Sequence, residues 1–144
     1  MDSLRPILVI EDSDEDFEVA CWALNQASIQ RPIIRAANAD EALVQLNLLE
    51  TPHESQSSRP ALVLLDLNLP GLNGRELLKQ LKNSEHAGLS PVVVLSTSNN
   101  PRDIEACYRL GAAGYICKPL QLQIFADKIK NLMLYWFSTV TLPS

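Results

Sequence analysis

Several residues that carry chemistry stand where apolar runs end. Glu11 and Asp12 follow Ile7-Leu-Val-Ile10, Asp66 closes Leu62-Val-Leu-Leu65, Ser96 and Thr97 follow Val92-Val-Val-Leu95, and Lys118 follows Gly114-Tyr-Ile-Cys117. A carboxylate at the end of a buried run is not there for packing. If those ends meet, three carboxylates face one ammonium. At about 5 Å and an effective dielectric near 20, each like-charged pair repels by roughly 3 kcal/mol. One lysine does not cancel that, so the site must retain a proton or bind a cation. The donors are all oxygen, which favours a hard divalent ion, Mg²⁺ above others. Mg²⁺ beside a lysine makes a place for a phosphoryl group. Asp66 could then attack phosphorus as a carboxylate nucleophile.

The elements that would position these residues alternate in type. Ile7–Ile10 reads as a strand, followed by Ser13 as an N-cap and a helix over 14–27 with Phe17, Ala20, Cys21, Leu24 and Ala27 on one face. Pro32 opens a second strand, Ile33–Ala36, and Asn38 with Glu41 caps a second helix. Residues 50–60 are polar and rich in Ser and Pro, a surface loop. A third strand covers 61–66, and Asn73 starts a helix with Leu77, Leu78 and Leu81 inward. Val92–Ser96 is a fourth strand. A fourth helix, about 101–110, turns Ile104, Cys107 and Tyr108 inward and stops at Gly111. A short fifth strand, Gly114–Cys117, precedes a last helix, about 121–137, with Leu122, Phe125, Ile129, Leu132, Met133 and Trp136 on one stripe. Five strand–helix repeats with uniformly apolar strands predict a parallel sheet covered by helices on both faces. In such a sheet the strands' carboxyl ends share one edge, where ligands collect.

Composition narrows the function. The chain has 144 residues and reads as a single domain, 1–144, with a core at about 5–134. A net charge of −5 speaks against a nucleic-acid partner, which needs a basic face. The three cysteines form no CxxC pair and lie in apolar segments, as reduced thiols of a cytoplasmic protein do. His53 and His86 are far apart, so a histidine metal site is not expected. No apolar run is long enough to span a membrane, and the N-terminus has no signal-peptide character.

Each residue also has an ordinary reading. Glu11 and Asp12 could serve only the dipole of the first helix. Lys118 could be a solvated loop lysine, and Ser96 a plain strand-end hydroxyl. Their joint placement at four strand ends is what argues for a site.

With these residues in place, the sequence resembles the receiver domain of bacterial two-component response regulators. The motifs are Val-Ile-Glu11-Asp12, Leu-Leu-Asp66-Leu-Asn68-Leu-Pro70-Gly71-x-x-Gly74, Val-Leu-Ser96-Thr97 and Gly111-Ala-x-Gly114-Tyr115-x-x-Lys118-Pro119, and the match runs from Ile7 to about Met133. The resemblance implies a flavodoxin-like (βα)5 three-layer fold with strand order 2-1-3-4-5. It implies that Asp66 takes a phosphoryl group from a histidine kinase. Asp12 and Asp66 would ligate Mg²⁺, Glu11 would act through water, and Asn68 would supply its backbone carbonyl. Lys118 would pair with Asp66 and then with a phosphoryl oxygen, and the Lys118–Pro119 bond would be cis. Ser96 stands where many members have Thr. Tyr115 matches the aromatic switch residue, whose ring turns inward as Ser96 moves toward the phosphate. The half-buried strand aromatic remains the plain alternative for it.

After the receiver the sequence runs Tyr135-Trp-Phe137-Ser-Thr-Val-Thr-Leu-Pro-Ser144, and a stand-alone receiver without an output domain is expected. That ending and the long loop 50–60 resemble the small stand-alone regulators that partner cyanobacterial phytochrome histidine kinases. Tyr135 and Phe137 fall off the inner stripe, which favours a homodimer through the fourth helix, fifth strand and last helix. The alternative is a tail that folds back over them. A phosphorelay intermediate that passes the group to a histidine phosphotransfer protein is a further possibility. Such a protein would be no enzyme beyond its own phosphorylation and dephosphorylation. A hydrolase of the haloacid-dehalogenase type needs a second acid two residues after Asp66, where this chain has Asn68. A flavodoxin-like cofactor binder needs a phosphate-cradling loop after the first strand, and Glu11-Asp-Ser-Asp-Glu-Asp16 is acidic instead.

Overall fold

The computed structural model describes residues 5–48, 59–67, 73–85 and 87–143. Three apolar runs, β1 (Ile7–Ile10), β3 (Leu62–Asp66) and β4 (Val92–Ser96), are buried at every position. They form the middle of a five-stranded parallel sheet in the order β2-β1-β3-β4-β5, with β2 (Ile33–Ala36) and β5 (Gly114–Cys117) half-buried at the edges. This is the strand order that the family resemblance implies.

Successive side chains alternate between two cores, as the strand period of two requires. Leu8, Ile10, Val63, Leu65, Val92 and Val94 face α2 (Ala39–Leu48), α3 (Gly74–Asn83) and α4 (Pro101–Arg109). Ile7, Val9, Leu62, Leu64, Val93 and Leu95 face α1 (Asp14–Gln26) and α5 (Leu122–Leu134). The helices begin where their caps predict. Ser13 Oγ accepts the Asp16 N–H at 3.2 Å, and Asn38 Oδ1 accepts the Glu41 N–H at 2.8 Å. Asn73 and Asn100 cap α3 and α4 in the same way. Gly111, at φ +107°, ends α4 in a conformation that favours glycine.

Two helix faces differ from the expected ones. Tyr108 and Leu122 are each about half exposed: Tyr108 lies on the outer side of α4, and Leu122 is the first residue of α5. The chain's end also differs. α5 stops at Leu134 and continues as a wide π turn, Tyr135–Thr139, closed by the Val140 N–H on the Tyr135 carbonyl at 3.0 Å. Trp136 and Phe137, three and four residues beyond buried Met133, both pack on the α1/α5 core. The Phe137 ring lies 4.2 Å from the Arg31 guanidinium and is not the exposed anchor expected from the sequence. Tyr135 is exposed, with its ring edge-on to Trp136. The tail then crosses to the amino end of the sheet, where Arg5 and Arg59 donate to the Pro143 carbonyl at 2.6 and 3.0 Å. Among the described residues, no helix is long and apolar enough to cross a membrane.

The start of α3 bears directly on the Asp66 strand end. A Cβ on Gly74 would stand 2.4 Å from the Leu67 carbonyl oxygen and 2.8 Å from the Leu67 Cα, both rigid backbone. Replacing Gly74 by Ala is therefore expected to cost about 1–3 kcal/mol, read as a lower urea midpoint with an unchanged slope.

Candidate functional site

Sheet register brings the polar strand ends together. Ile10 pairs with Leu65, Asp66 with Leu95, and Ser96 with Cys117, so Glu11, Asp66, Ser96 and Lys118 lie along one edge. Glu11 and Asp66 are both almost fully buried, at 3% and 5% exposure, while Asp12 is open to solvent. One carboxylate oxygen from each of Glu11, Asp12 and Asp66 lies within 4.8 Å of the others. The Lys118 ammonium sits 3.5 Å from Glu11 Oε1, 3.5 Å from Asp66 Oδ2 and 3.9 Å from Asp16 Oδ2.

The charge balance is short by more than one. Burial, followed by the hydrogen bond and the charge of Asp66, pushes the Glu11 carboxyl up to about 8. Lys118 and the Ser13 N–H, 3.3 Å from Glu11 Oε2, act in the opposite direction but do not prevail. A buried acid that keeps its proton near neutrality marks a place that lacks positive charge. The three carboxylates offer only oxygen, and exposed Asp12 leaves room for metal-bound water. The residues thus fit a small hard divalent ion such as Mg²⁺. Asn68, the fourth expected ligand, lies outside the described residues.

Neighbouring elements fix these groups. Arg35 on β2 donates from Nε to the Glu11 carbonyl at 3.1 Å, pairs with Asp14 at 2.7 Å and stacks on Phe17. Ser96 is buried; its carbonyl accepts the Lys118 N–H at 2.7 Å and its Oγ accepts the Ser98 N–H at 3.1 Å. Tyr115 is half-buried against the α2/α3/α4 core, and its hydroxyl donates to the Ser98 carbonyl at 2.8 Å. Ser98 Oγ in turn donates to Asp103 Oδ2 at 2.5 Å, and Asp103 Oδ1 pairs with Arg75. The Ser98 hydrogen bond, with Arg75, holds the Asp103 carboxyl below its usual range. The Lys118–Pro119 peptide is trans, where the family resemblance implies cis. The two X–Pro isomers differ by only about 0.5–1 kcal/mol, so residue types alone do not select one.

The sequence reading named Glu11, Asp12, Asp66, Ser96 and Lys118, of which the fold clusters Glu11, Asp12, Asp66 and Lys118 and sets Ser96 at the adjoining strand end with its hydroxyl on the Ser98 N–H. It missed Asp16 and Arg35, which touch the site from α1 and β2. Asp16 had a signal, one helical turn beyond Asp12 in the same acidic run. Arg35 had none, because only strand pairing carries it to Glu11.

Comparison with known proteins places this geometry among others. The response regulator receiver domain model matches residues 7–130. Response regulator Rcp1 of Synechocystis sp. is 35% identical over 141 residues, covering 97% of this chain and 94% of that protein. The crystal structure of the Mn²⁺-bound form of Rcp1 superposes with a TM-score of 0.84, over 97% of this chain and 99% of that one. That of the phosphorylated cyanobacterial phytochrome response regulator RcpA, 36% identical, superposes with a TM-score of 0.85 over the same shares.

Glu11 supplies a pH test. Its carboxyl lies higher in the folded than in the unfolded chain, so its neutral form stabilises the fold at low pH. That contribution is lost as pH rises from about 4.5 toward about 8. The metal-free protein should melt at a lower temperature at pH 8.5 than at pH 6. Glu11→Gln should flatten that dependence, and millimolar Mg²⁺ should restore the loss in the unsubstituted protein.

Proposed function

The chain belongs to the response regulator receiver family, and from that premise we propose that it is a signalling module that accepts a phosphoryl group on Asp66 from a histidine kinase. The observation that carries the reading is the buried Asp66 carboxylate 3.5 Å from the Lys118 ammonium, at the edge where Glu11 and Asp12 also meet. An Asp66 oxygen attacks phosphorus, a P–O bond forms, and the P–N bond of the donor phosphohistidine breaks with its electron pair leaving on the imidazole. Lys118 balances charge on a phosphoryl oxygen throughout. Glu11, Asp12, Asp66 and Asn68 would hold Mg²⁺, which when bound offsets the negative charge of the transferring group. Ser96 donates its hydroxyl to a phosphoryl oxygen, and Tyr115 reports the change to the surface of α4, β5 and α5. The chain's chemistry is confined to its own phosphorylation and dephosphorylation.

The likeness to Rcp1 and to the phytochrome regulator RcpA supports a phytochrome-type kinase as the donor. A homodimer through α4, β5 and α5 belongs to the same reading, with residues 135–144 as an extension of the core at about 5–134. Exposed Tyr135 is its aromatic contributor and half-buried Phe137 its support. Tyr135→Glu should shift the sedimentation coefficient toward monomer. An unchanged dimer removes Tyr135 from the interface.

The direct test of the phosphoryl reading uses a small phosphodonor with Mg²⁺ and an intact-mass measurement. A phosphoryl adduct should form, should be lost in Asp66→Asn, and should form at least tenfold more slowly in Lys118→Ala, since charge-assisted contacts of this kind contribute about 1.5–3 kcal/mol. No adduct with any donor would overturn the reading.

A further inference from the structure

We propose that Asp103 and Arg75 are positioning residues that hold the β4–α4 loop, through Ser98, in the arrangement in which Ser96 meets a phosphoryl group on Asp66. The inference rests on the Asp66 reading above. Neither residue touches the acidic cluster, and neither belongs to the motifs that point to the site.

Ser98 is a hub whose every polar atom is engaged. Its N–H donates to Ser96 Oγ at 3.1 Å. Its hydroxyl donates to Asp103 Oδ2 at 2.5 Å and accepts the Asn100 N–H at 3.2 Å. Its carbonyl accepts the Tyr115 hydroxyl at 2.8 Å and the Cys117 thiol at 3.3 Å. The same three-residue step thus touches both residues expected to switch. Because Ser98 fills an acceptor position on Ser96 Oγ, the Ser96 hydroxyl proton is left to donate. Because the Ser98 carbonyl takes the Tyr115 hydroxyl, the ring stays inward against the core. A displaced Ser98 would undo both at once.

What fixes Ser98 comes from two other elements. Asp103 lies in the first turn of α4 and Arg75 in the first turn of α3, and their ion pair ties these helix starts together. Asp103 uses one oxygen for Arg75 and the other for Ser98, so the guanidinium orients the carboxylate that orients the hub. Arg75, Ser98 and Asp103 line, with Leu67, Asn73, Ser96 and Thr97, a solvent-open polar pocket of about 560 Å³ next to the Asp66 strand end. The pair is about one-third exposed on each side, and such pairs contribute little to global stability. Its effect falls on the position of one loop. By holding the inward Tyr115 arrangement before phosphorylation, the latch reduces the reorganisation that a phosphoryl group must drive.

The test titrates the full chain with beryllofluoride, a phosphoryl mimic, in Mg²⁺, while NMR follows the tyrosine ring signals. Asp103→Ala should weaken the apparent affinity about tenfold, the factor by which loss of a charged hydrogen bond depletes a competent state. It should shift the Tyr115 ring signals toward an exposed, mobile ring even without the mimic, and leave the melting temperature nearly unchanged. Arg75→Ala should produce a smaller effect of the same sign, and the double variant should be no worse than Asp103→Ala alone. Wild-type affinity with wild-type Tyr115 signals, or tighter binding, would overturn the latch. If the unsubstituted protein binds no beryllofluoride, the Asp66 reading fails, and the Tyr115 signals of the variants in plain buffer still decide the latch.

Discussion

Two buried carboxylates share one ammonium, and the rest of the molecule is arranged around that imbalance. Glu11 and Asp66 are withdrawn from water on adjacent central strands, and Lys118 reaches both at 3.5 Å. Buried like charges this close are stable only with a proton, a cation or both. The parallel sheet creates the problem by bringing the carboxyl ends of β1 and β3, with their acids, to the same edge. It also makes the site responsive: anything that changes charge there, such as a metal ion or a phosphoryl group, changes the balance that Glu11, Asp66 and Lys118 have settled into. The apolar strands behind them do not yield, because both faces of the sheet are packed. The loops at the carboxyl edge are where that change can be taken up.

The tolerance of the fold for this charge comes from its packing. Val63, Leu64 and Leu65 are fully buried just before Asp66, so the strand that presents the carboxylate is anchored on both faces. Arg35 steadies the turn after β1 from the neighbouring strand, and the Lys118 N–H binds the Ser96 carbonyl, which couples the ammonium's own backbone to β4. Backbone pairing thus fixes the site to within hydrogen-bonding precision before any ligand arrives, as positioned chemistry requires.

Much of this was legible in the residues. β1, β3 and β4 are unbroken apolar runs, and that pattern belongs to strands covered on both sides. The caps Ser13, Asn38 and Asn73 announced three helices because a cap is a local device, complete within four residues. The convergence of Glu11, Asp12, Asp66, Ser96 and Lys118 followed from parallel topology alone. What the residues did not disclose depends on geometry beyond one turn. The exposure of Tyr108 and Leu122 depends on how α4 and α5 dock on their neighbours, which is tertiary. Phe137 is the exception: it stands four residues beyond buried Met133, so a 3.6-residue period already carries it to the half-buried face. The Arg75–Asp103–Ser98 chain joins three segments whose proximity is tertiary, so no spacing along the sequence marks it.

If the charge imbalance exists to receive a phosphoryl group, the group must be found on the carboxylate that the sheet buries beside Lys118. Phosphorylating the protein with a phosphohistidine kinase in Mg²⁺, reducing it with borohydride and sequencing its peptides would locate the acyl phosphate. The account predicts homoserine at position 66 and unmodified Glu11 and Asp12. Homoserine elsewhere, or an Asp66 left intact after full transfer from the kinase, would contradict it.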